Sequence, residues 1–416
     1  MNEGLSTVGL DELVELRPEK VATNKDPNLP YIGLEHIAQG QPHLLGSLPS
    51  SASVSINCYF SKDDILFGKL RPNLRKSLKA PFAGYCSTDI IVLRARDGVL
   101  PSYAAHVFQW ERVFAAASAT AVGTKMPRTS WNELRRYRVF KTDSDIEQSS
   151  IAAVLDTVDE AIAKTEAVIA KLRQVRAGLL HDLLTRGLDR HGQLRDPIAY
   201  PEQFRDSPLG RIPREWRPMK FADACTKVGV GIATSTTSHF VTKGVPMLRN
   251  QNITERGISL DDLVHISEAF AEVNRTKSLE RGDIVTVRTG YPGLSAVVTE
   301  REEGWQTFTT LISRPRFDLF DSEFLVLQLN SVMCKRQIAC LQAGGAQQNL
   351  NSQVLETLDV LWMPKPEQEQ VRAHVNASEG DLRSEESVLA KQVLLKSGLM
   401  ADLLTGRVRV KVGGAA

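Results

Sequence analysis

A long internal repeat constrains this sequence more than any other feature. The segment KLRQVRAGLLHDLLTRGL, which begins at Lys171, aligns with KQVLLKSGLMADLLTGRV, which begins at Lys391, at an offset of 220 residues. Both copies keep a Gly-Leu pair and the run Asp-Leu-Leu-Thr. A period of this length is far longer than that of a solenoid repeat. The sequence therefore predicts two copies of one unit, each a globular region followed by a long helix.

Weaker similarity extends upstream of these segments. Glu147-Gln148 is expected to correspond to Glu369-Gln370. KDDILFGKLR at 62 parallels RGDIVTVRTG at 281, and VGTKMPRTSWNEL at 122 parallels GGAQQNLNSQVLETL at 344. The order of features is thus repeated even where the residue identities are not.

Two long helices are predicted, over 146–186 and 367–406. In both, apolar residues recur at alternating steps of three and four, which is the heptad pattern of a coiled coil. The seam residues are Ile151, Leu155, Val158, Ile162, Ile169, Leu172, Leu179 and Leu183 in the first helix and Val371, Val375, Leu382, Leu389, Leu399 and Leu403 in the second. Polar residues, among them Arg176 and Lys396, interrupt the seams. The two helices are expected to pack together, and the alternative is pairing with a second copy of the chain.

The rest of the sequence predicts an α+β fold. Short apolar runs with turn signals, such as DIIVLRA at 89 and GDIVTVR at 282, indicate strands. Helix-like stretches over 102–118 and 322–341 follow them in the two copies. The predicted globular domains are 1–145 and 213–366, and the other segments are the two helices, a linker rich in Pro, Gly and charge at 187–212 and a tail at 407–416.

The composition excludes several classes of protein. There are 51 Lys and Arg against 49 Asp and Glu, so any nucleic-acid surface must be a local basic patch. The five cysteines form no CxxC pair, which indicates free thiols, and the sequence shows no signal peptide or long apolar span, which favours a cytoplasmic protein. Phosphate-loop, zinc-helix and nucleophile-elbow motifs are missing, and the histidines suggest no metal site. These features favour a binding protein over an enzyme.

The first candidate binding site is a basic cluster, KLRPNLRKSLK at 69. Its candidate phosphate partners are Lys69, Arg71, Arg75 and Lys76. Clustered Lys and Arg side chains neutralise backbone phosphates, although an ordinary solvated surface is the alternative. The corresponding loop of the second copy, VRTGYPG at 287, keeps only Arg288 as a basic residue and adds Tyr291 as a stacking or phosphate contact.

Polar loops offer candidate base readers. GTKMPR at 123 supplies Thr124, Lys125 and Arg128, its counterpart GGAQQN at 344 supplies Gln347, Gln348 and Asn349, and LRNQNI at 248, parallel to IGLEHI at 32, supplies Arg249, Asn250 and Asn252. Arg and Lys bind guanine in the major groove, and Gln and Asn bind adenine. The alternative for each loop is a polar surface turn.

With these residues the chain resembles the DNA-specificity subunit of a type I restriction-modification system. The resemblance covers nearly the whole chain and is carried by PYIGLEHI at 30, LFGKLRPNLRKSLKAPFAGYCSTDIIVLRA at 66, GTKMPR at 123, GLLHDLLTRGL at 178, GQLRDP at 192, SPLGRIPREW at 207 and GLMADLLTGRV at 398. It implies two target recognition domains that each read half of a bipartite DNA sequence. It also implies that the two long helices pack antiparallel as a coiled-coil spacer between them.

The resemblance implies partners as well. They are double-stranded DNA, two methyltransferase (modification) subunits and, where present, two restriction subunits, with no membrane. The helix residues expected to contact partner subunits are Leu179, Leu180, Leu183, Leu399, Met400 and Leu403. The chain itself would be non-catalytic and bind no cofactor, with S-adenosylmethionine, ATP and Mg on the partner subunits. The alternatives are a specificity subunit of another multi-subunit restriction class, a protein-only coiled-coil scaffold and a stand-alone enzyme.

Overall fold

The chain forms two compact units in a computed structural model that describes residues 7–17, 20–21, 26–53, 56–343 and 349–410. The first unit comprises 1–169 and 385–416, and the second comprises 170–384. Each unit therefore contains one globular region and segments of both long helices. Sheets and helices occur in both units, which confirms the predicted α+β class.

The first globular region is built from short strands and helices. Its strands are β1 (Thr7–Gly9), β2 (Val14–Leu16), β3 (Lys20–Val21), β4 (Pro30–Ile32), β5 (Leu48–Pro49), β6 (Asn57–Phe60), β7 (Ile65–Gly68), β8 (Ser77–Lys79), β9 (Gly84–Ser87), β10 (Ile90–Ala95) and β11 (Arg138–Phe140). Its helices are α1 (Leu10–Leu13), α2 (Pro101–Gln109), α3 (Glu111–Ala119) and α4 (Trp131–Leu134), and the long helix α5 (Asp145–Thr185) follows. One sheet has the order β2-β10-β7-β8, a second has the order β3-β6-β9-β4-β5, and β1 pairs with β11.

The second globular region repeats much of this plan. Its strands, together with two that precede it, are β12 (Phe204–Ser207), β13 (Gly210–Pro213), β14 (Arg217–Lys220), β15 (Cys225–Val230), β16 (Phe240–Val241), β17 (Val245–Leu248), β18 (Ile253–Thr254), β19 (Gly257–Ile258), β20 (Val264–Ile266), β21 (Ile284–Thr286), β22 (Ser295–Val297), β23 (Gln306–Thr307), β24 (Leu311–Pro315) and β25 (Asp359–Trp362). The helices are α6 (Phe221–Ala224), α7 (Glu268–Val273), α8 (Ser322–Leu329), α9 (Val332–Ala343), α10 (Ser352–Thr357) and the long α11 (Lys365–Leu403).

The two regions share a sheet topology. The order β15-β24-β21-β22 in the second region matches β2-β10-β7-β8 in the first, and β14 pairs with β25 as β1 pairs with β11. Each region also has another sheet that contains one parallel pair. The pair is β4 with β9 in the first region and β17 with β23, in the sheet of order β16-β20-β17-β23, in the second. The repeated connectivity agrees with the internal repeat read from the sequence.

Two predicted elements differ from the structure. The helix expected over 102–118 is two helices, because Trp110 adopts an extended backbone conformation while its indole is buried in the core. The helix expected over 322–341 is likewise divided, between α8 and α9. The segment 187–212, expected to be an irregular linker, is ordered around the buried Leu188 and contains β12 and most of β13.

Within each unit, segments of α5 and α11 run antiparallel. In the first unit Lys396 contacts Asp159 at 2.5 Å, and in the second Arg176 contacts Glu379 at 3.0 Å. The two ion pairs correspond at the 220-residue offset, with the basic and acidic residues exchanged between helices. Arg176 and Lys396, two of the positions that interrupt the apolar seams in the sequence, thus carry paired charges.

A buried Glu-Gln pair fastens the start of α5 to the first globular region. The Gln148 carboxamide donates to the carbonyls of Gly98 (3.0 Å) and Thr142 (2.9 Å) and accepts from the Leu100 amide (2.8 Å). The Glu147 carboxylate accepts two hydrogen bonds from Arg409, at 2.7 and 2.6 Å. This arrangement satisfies three backbone groups and one buried charge at the base of the helix.

The second unit repeats this anchor at Glu367 and Gln368. The Gln368 carboxamide donates to the carbonyls of Leu319 and Met363 and accepts from the Asp321 amide. The Glu367 carboxylate accepts from Arg195 and from the Trp216 indole, among other donors.

The expected match to Glu369-Gln370 was therefore wrong by two positions. Those two side chains are exposed, whereas the Glu-Gln pair at the 220-residue offset is buried. The dipeptide occurs twice in PEQEQ, and burial distinguishes the two copies.

We expect Arg409→Ala to lower the free energy of unfolding of the first unit by about 2 kcal/mol, because it leaves a buried carboxylate without its charged donor. Arg407→Ala is the matched control, since Arg407 forms an exposed ion pair with Asp402 and should contribute little. Urea unfolding of both variants measures the difference. Equal stabilities would show that the Arg409 contact is dispensable.

The same contact predicts an acid dependence. The Arg409 guanidinium lowers the pKa of Glu147 below its ordinary value. The stabilisation is therefore present above the pKa of Glu147 in the unfolded chain and is lost as the pH falls through the lower folded value. Thermal unfolding below about pH 4.5 should show a smaller loss of stability in Arg409→Ala than in the unsubstituted chain.

Candidate nucleic-acid interface

In the first unit, the basic cluster and the 123–128 loop lie together. The Arg71 amide donates to the Pro127 carbonyl at 2.7 Å, and the Thr129 amide donates to the Lys69 carbonyl at 3.1 Å. The Arg71 guanidinium also donates to the Lys125 carbonyl at 3.1 Å. Two segments that are more than 50 residues apart in sequence therefore form one surface, which we call the first loop pair (Lys69–Arg71 and Val122–Arg128).

The backbone of the basic cluster is constrained. Arg71 and Arg75 have φ values of 48° and 50°, in the left-handed region, and they flank a short 3-10 turn. Such conformations are costly for residues other than glycine and concentrate at functional sites. The turn holds Arg71 against the 123–128 loop.

Side chains at the tip of the first loop pair are open to solvent. Thr124, Lys125 and Arg128 are exposed, as the sequence predicts for base readers. The Arg128 guanidinium binds the Asp89 carboxylate through two hydrogen bonds, at 2.9 and 3.2 Å. The pKa of Asp89 is lowered, chiefly by this contact. Asp89, which sequence reasoning missed because it begins an apolar strand-like run, thus orients Arg128.

A cleft beside the first loop pair adds a second unpredicted residue, the basic Lys20. Lys20, from β3, lines this cleft together with Lys69 and Arg128. Cys58, from β6, lies in the same wall. Nothing in the local sequence around Lys20 indicates that it lines the cleft, because the pairing of β3 with β6 places it there.

Two members of the basic cluster point elsewhere. The Lys76 ammonium donates to the Leu34 carbonyl at 2.6 Å and is engaged within the fold, so its place among the phosphate partners is not supported. Arg75 lies 3.7 Å from Glu111 and lines a cleft against α11.

The second unit has an equivalent loop pair, Arg288–Tyr291 with Asn349–Leu350. The Leu350 amide donates to the Arg288 carbonyl at 3.0 Å, and the Arg288 guanidinium donates to the Leu350 carbonyl at 3.2 Å. Tyr291 and Asn349 are exposed. Gln347 and Gln348 lie outside the described residues, so their predicted role stays a prediction.

The predicted reader Asn252 is buried, and this prediction was wrong. Its side chain accepts from the Arg249 amide at 2.9 Å and donates to the carbonyls of Ser259 and Asp261. His36 occupies the same place in the first copy, where it accepts from the Gly33 amide at 2.8 Å. Both residues therefore close a 3-10 turn.

The neighbours of Asn252 differ in their availability. The Arg249 guanidinium donates to the Asp262 carbonyl, which commits part of its hydrogen-bonding capacity. Asn250 donates to the Thr289 hydroxyl at 2.7 Å and so joins the second loop pair.

The helix residues expected to bind partners are largely internal. Leu183, Met400 and Leu403 are buried, and Leu179, Leu180 and Leu399 are half-buried and pack against the same cores. The C-terminal end of each long helix is embedded in a globular core, which makes buried leucines unavailable to a partner. This prediction was wrong for the three buried residues.

A different apolar stripe is exposed on the helices. It consists of Val154, Val168 and Val175 on α5 and Val388 and Leu395 on α11. These residues are spaced by multiples of seven on each helix, so each set lies along one face. Val168 and Val175 correspond to Val388 and Leu395 at the 220-residue offset. We call these residues the exposed stripe.

The described residues contain no candidate metal site and no candidate membrane-spanning helix. No group of three or more His, Cys, Asp or Glu side chains is placed to hold a metal ion in that part of the chain. None of the helices there has the length and apolar character required to cross a bilayer.

Comparison with known proteins identifies the fold. No family model matches the chain. The chain is similar to the S subunit of a type I restriction-modification system from M. genitalium, with a TM-score of 0.56 and 14% identity over 97% of both chains. It is also similar to a chain from a structure of type I R-M complex assembly, with a TM-score of 0.52 and 17% identity over 98% of this chain and 99% of that one. The protein therefore has the fold of a type I S subunit.

The geometry favours Lys69 over Lys76 as a candidate phosphate contact. We expect Lys69→Ala to reduce the slope of log affinity for double-stranded DNA against log salt by about one, because one phosphate contact is lost. Lys76→Ala should leave the slope unchanged and lower the melting temperature, since it removes a donor to a buried loop. Fluorescence anisotropy titrations at several salt concentrations measure the slopes. The opposite pattern would place the phosphate contact at Lys76.

Proposed function

We propose that the chain is the DNA-specificity subunit of a type I restriction-modification complex and has no catalytic role of its own. The observation that carries the proposal is the repeated loop pair, in which an equivalent backbone hydrogen bond joins Thr129 to Lys69 in one unit and Leu350 to Arg288 in the other. The same scaffold position presents basic residues in one unit and Arg, Tyr and Asn in the other. Two different reading surfaces on equivalent scaffolds suit a bipartite target with unlike halves.

Each loop pair has the components that DNA recognition needs. Lys69 and Arg71 would neutralise phosphates and fix the register, which carries no sequence information by itself. Exposed side chains at the tip, Thr124, Lys125 and Arg128, would then reach base edges. Because Asp89 accepts from Nε and Nη2 of Arg128, Arg128 would contact guanine either in this orientation or by exchanging Asp89 for the base.

Binding through two domains raises the affinity above that of either one. When one half-site is bound, the second binding event becomes intramolecular and benefits from a high effective concentration. The two long helices would set the number of base pairs between the half-sites. The chain would act on DNA in the cytoplasm.

Partner subunits would supply the chemistry. Two modification subunits, with S-adenosylmethionine, and, where present, two restriction subunits, with ATP and Mg, would assemble on this chain. The exposed stripe supports a docking surface on the helices, since apolar residues at heptad spacing favour a helical partner. The half-buried leucines near the helix ends would contribute at most its margin.

The proposal is tested by co-expressing the chain with a candidate modification subunit from the same genome. We expect a complex that methylates plasmid DNA at one bipartite motif, mapped base by base. Omission of the chain should abolish the methylation. A complex without methylation at any motif would contradict the reading role.

The same complex tests the stripe. Val168→Asp combined with Val388→Asp should prevent co-purification, because two charges would be buried at the interface. The matched control is Val273→Asp, at an exposed valine on α7 that lies off the long helices. The docking surface would lie elsewhere if the modification subunit co-purified equally with the unsubstituted chain, the double variant and the Val273→Asp control.

A further inference from the structure

Two cysteines face each other in the second sheet of the first unit. Cys58 on β6 lies directly opposite Cys86 on β9 in the antiparallel register. Directly opposed residues in such a pair have Cα atoms about 4.5–5.5 Å apart, which falls within the range of about 4.4–6.8 Å that a disulfide spans. Directly opposed residues of an antiparallel pair lie on the same face of the sheet, so the two thiols are neighbours on that face.

The two thiols have different surroundings. Cys86 is fully buried in the apolar cluster that contains Ile32 and Phe60, whereas Cys58 is half-buried and lines the cleft beside Lys20 and Lys69. A small oxidant entering the cleft therefore meets Cys58 first and finds Cys86 behind it. This is the arrangement of an attacking thiol with a resolving partner.

The surroundings of Cys58 favour its reactivity. The pKa of Cys58 is lowered to about 7, chiefly by the neighbouring Cys86 thiol and to a smaller extent by the charges of Lys69 and Lys20. Burial instead raises the pKa of Cys225 and of Cys334 to about 12. Since the thiolate is the nucleophile, Cys58 is set apart from these two structural cysteines.

We propose that Cys58 and Cys86 form a peroxide-oxidisable dithiol site in the wall of the cleft that carries Lys69. The Cys58 thiolate attacks hydrogen peroxide, the O–O bond breaks, and Cys58 becomes a sulfenic acid with release of hydroxide. The Cys86 sulfur then attacks the Cys58 sulfur, the S–O bond breaks, and the Cys86 proton leaves with the hydroxyl as water. Overall, two thiols and one peroxide yield one disulfide and two waters, so the two electrons lost by sulfur reduce the peroxide.

The test exposes the reduced full-length chain to hydrogen peroxide at pH 7, quenches it with an alkylating reagent and maps the cysteines by peptide mass spectrometry. We expect a Cys58–Cys86 disulfide that dithiothreitol reverses, formed at least about tenfold faster than oxidation of Cys334. Failure to detect this disulfide in the folded protein, or its appearance only after addition of urea, would overturn the proposal.

Variants separate the two steps. Cys86→Ser should leave Cys58 as a sulfenic acid that dimedone traps, and Cys58→Ser should leave Cys86 reduced. Cys340→Ser is the matched control, because Cys340 is exposed, and it should form the disulfide at the normal rate. If Cys86→Ser does not fold, the half-buried Cys58→Ser variant still decides the order, since oxidation of Cys86 in its absence would contradict the proposal.

One further arm rests on the proposed function. Because Cys58 and Lys69 line the same cleft, target DNA bound in the co-purified complex should slow the oxidation of Cys58. Disulfide formation without DNA protection would uphold the dithiol site and contradict the DNA-facing role of the cleft. The two ideas therefore fail separately.

Discussion

The structure depends on a buried carboxylate and carboxamide at the base of each long helix. Gln148 and Gln368 each form hydrogen bonds with three backbone groups. Among the described residues, these groups take part in no helix or strand hydrogen bond. Buried polar groups left without partners are costly, so these side chains fix the direction in which each helix leaves its globular region. The adjoining glutamates form ion pairs with arginines. Glu147 on α5 pairs with Arg409, which follows α11, and Glu367 on α11 pairs with Arg195, which follows α5. The same chemistry therefore joins helix, globular region and connecting segment in both units.

A duplicated scaffold allows recognition to diverge while the frame is kept. The two loop pairs share one backbone hydrogen bond, from Thr129 to Lys69 and from Leu350 to Arg288, but not their side chains. Asn252 and His36 illustrate the distinction, because different residues perform the same turn-closing bond at equivalent positions. Ion pairs at the helix seam show the same freedom, with Asp159–Lys396 in one unit and Glu379–Arg176 in the other. The geometry of these contacts is therefore the same in the two copies, although the residues that form them differ.

The sequence predicted the large features well and side-chain direction poorly. Heptad spacing located both long helices within about two residues at their starts, because burial along a helix leaves a periodic record. The same periodicity could not distinguish a leucine buried in a globular core, such as Leu403, from one offered to a partner. Their residue types placed Lys76 and Asn252 at the predicted interface. In the structure Lys76 donates to the Leu34 carbonyl, and Asn252 is buried where it closes a 3-10 turn. Tertiary pairing also brings Lys20 to the cleft and Asp89 to Arg128, and no local pattern signals such contacts.

The most direct test of two equivalent readers is a hydroxyl-radical footprint of the co-purified complex on its methylated target. We expect two protected blocks of DNA separated by an unprotected interval. With Lys69→Ala and Arg71→Ala combined, protection should weaken in one block and persist in the other, because only the first loop pair is changed. A single continuous block, or equal weakening of both blocks, would contradict the assignment of one half-site to each loop pair.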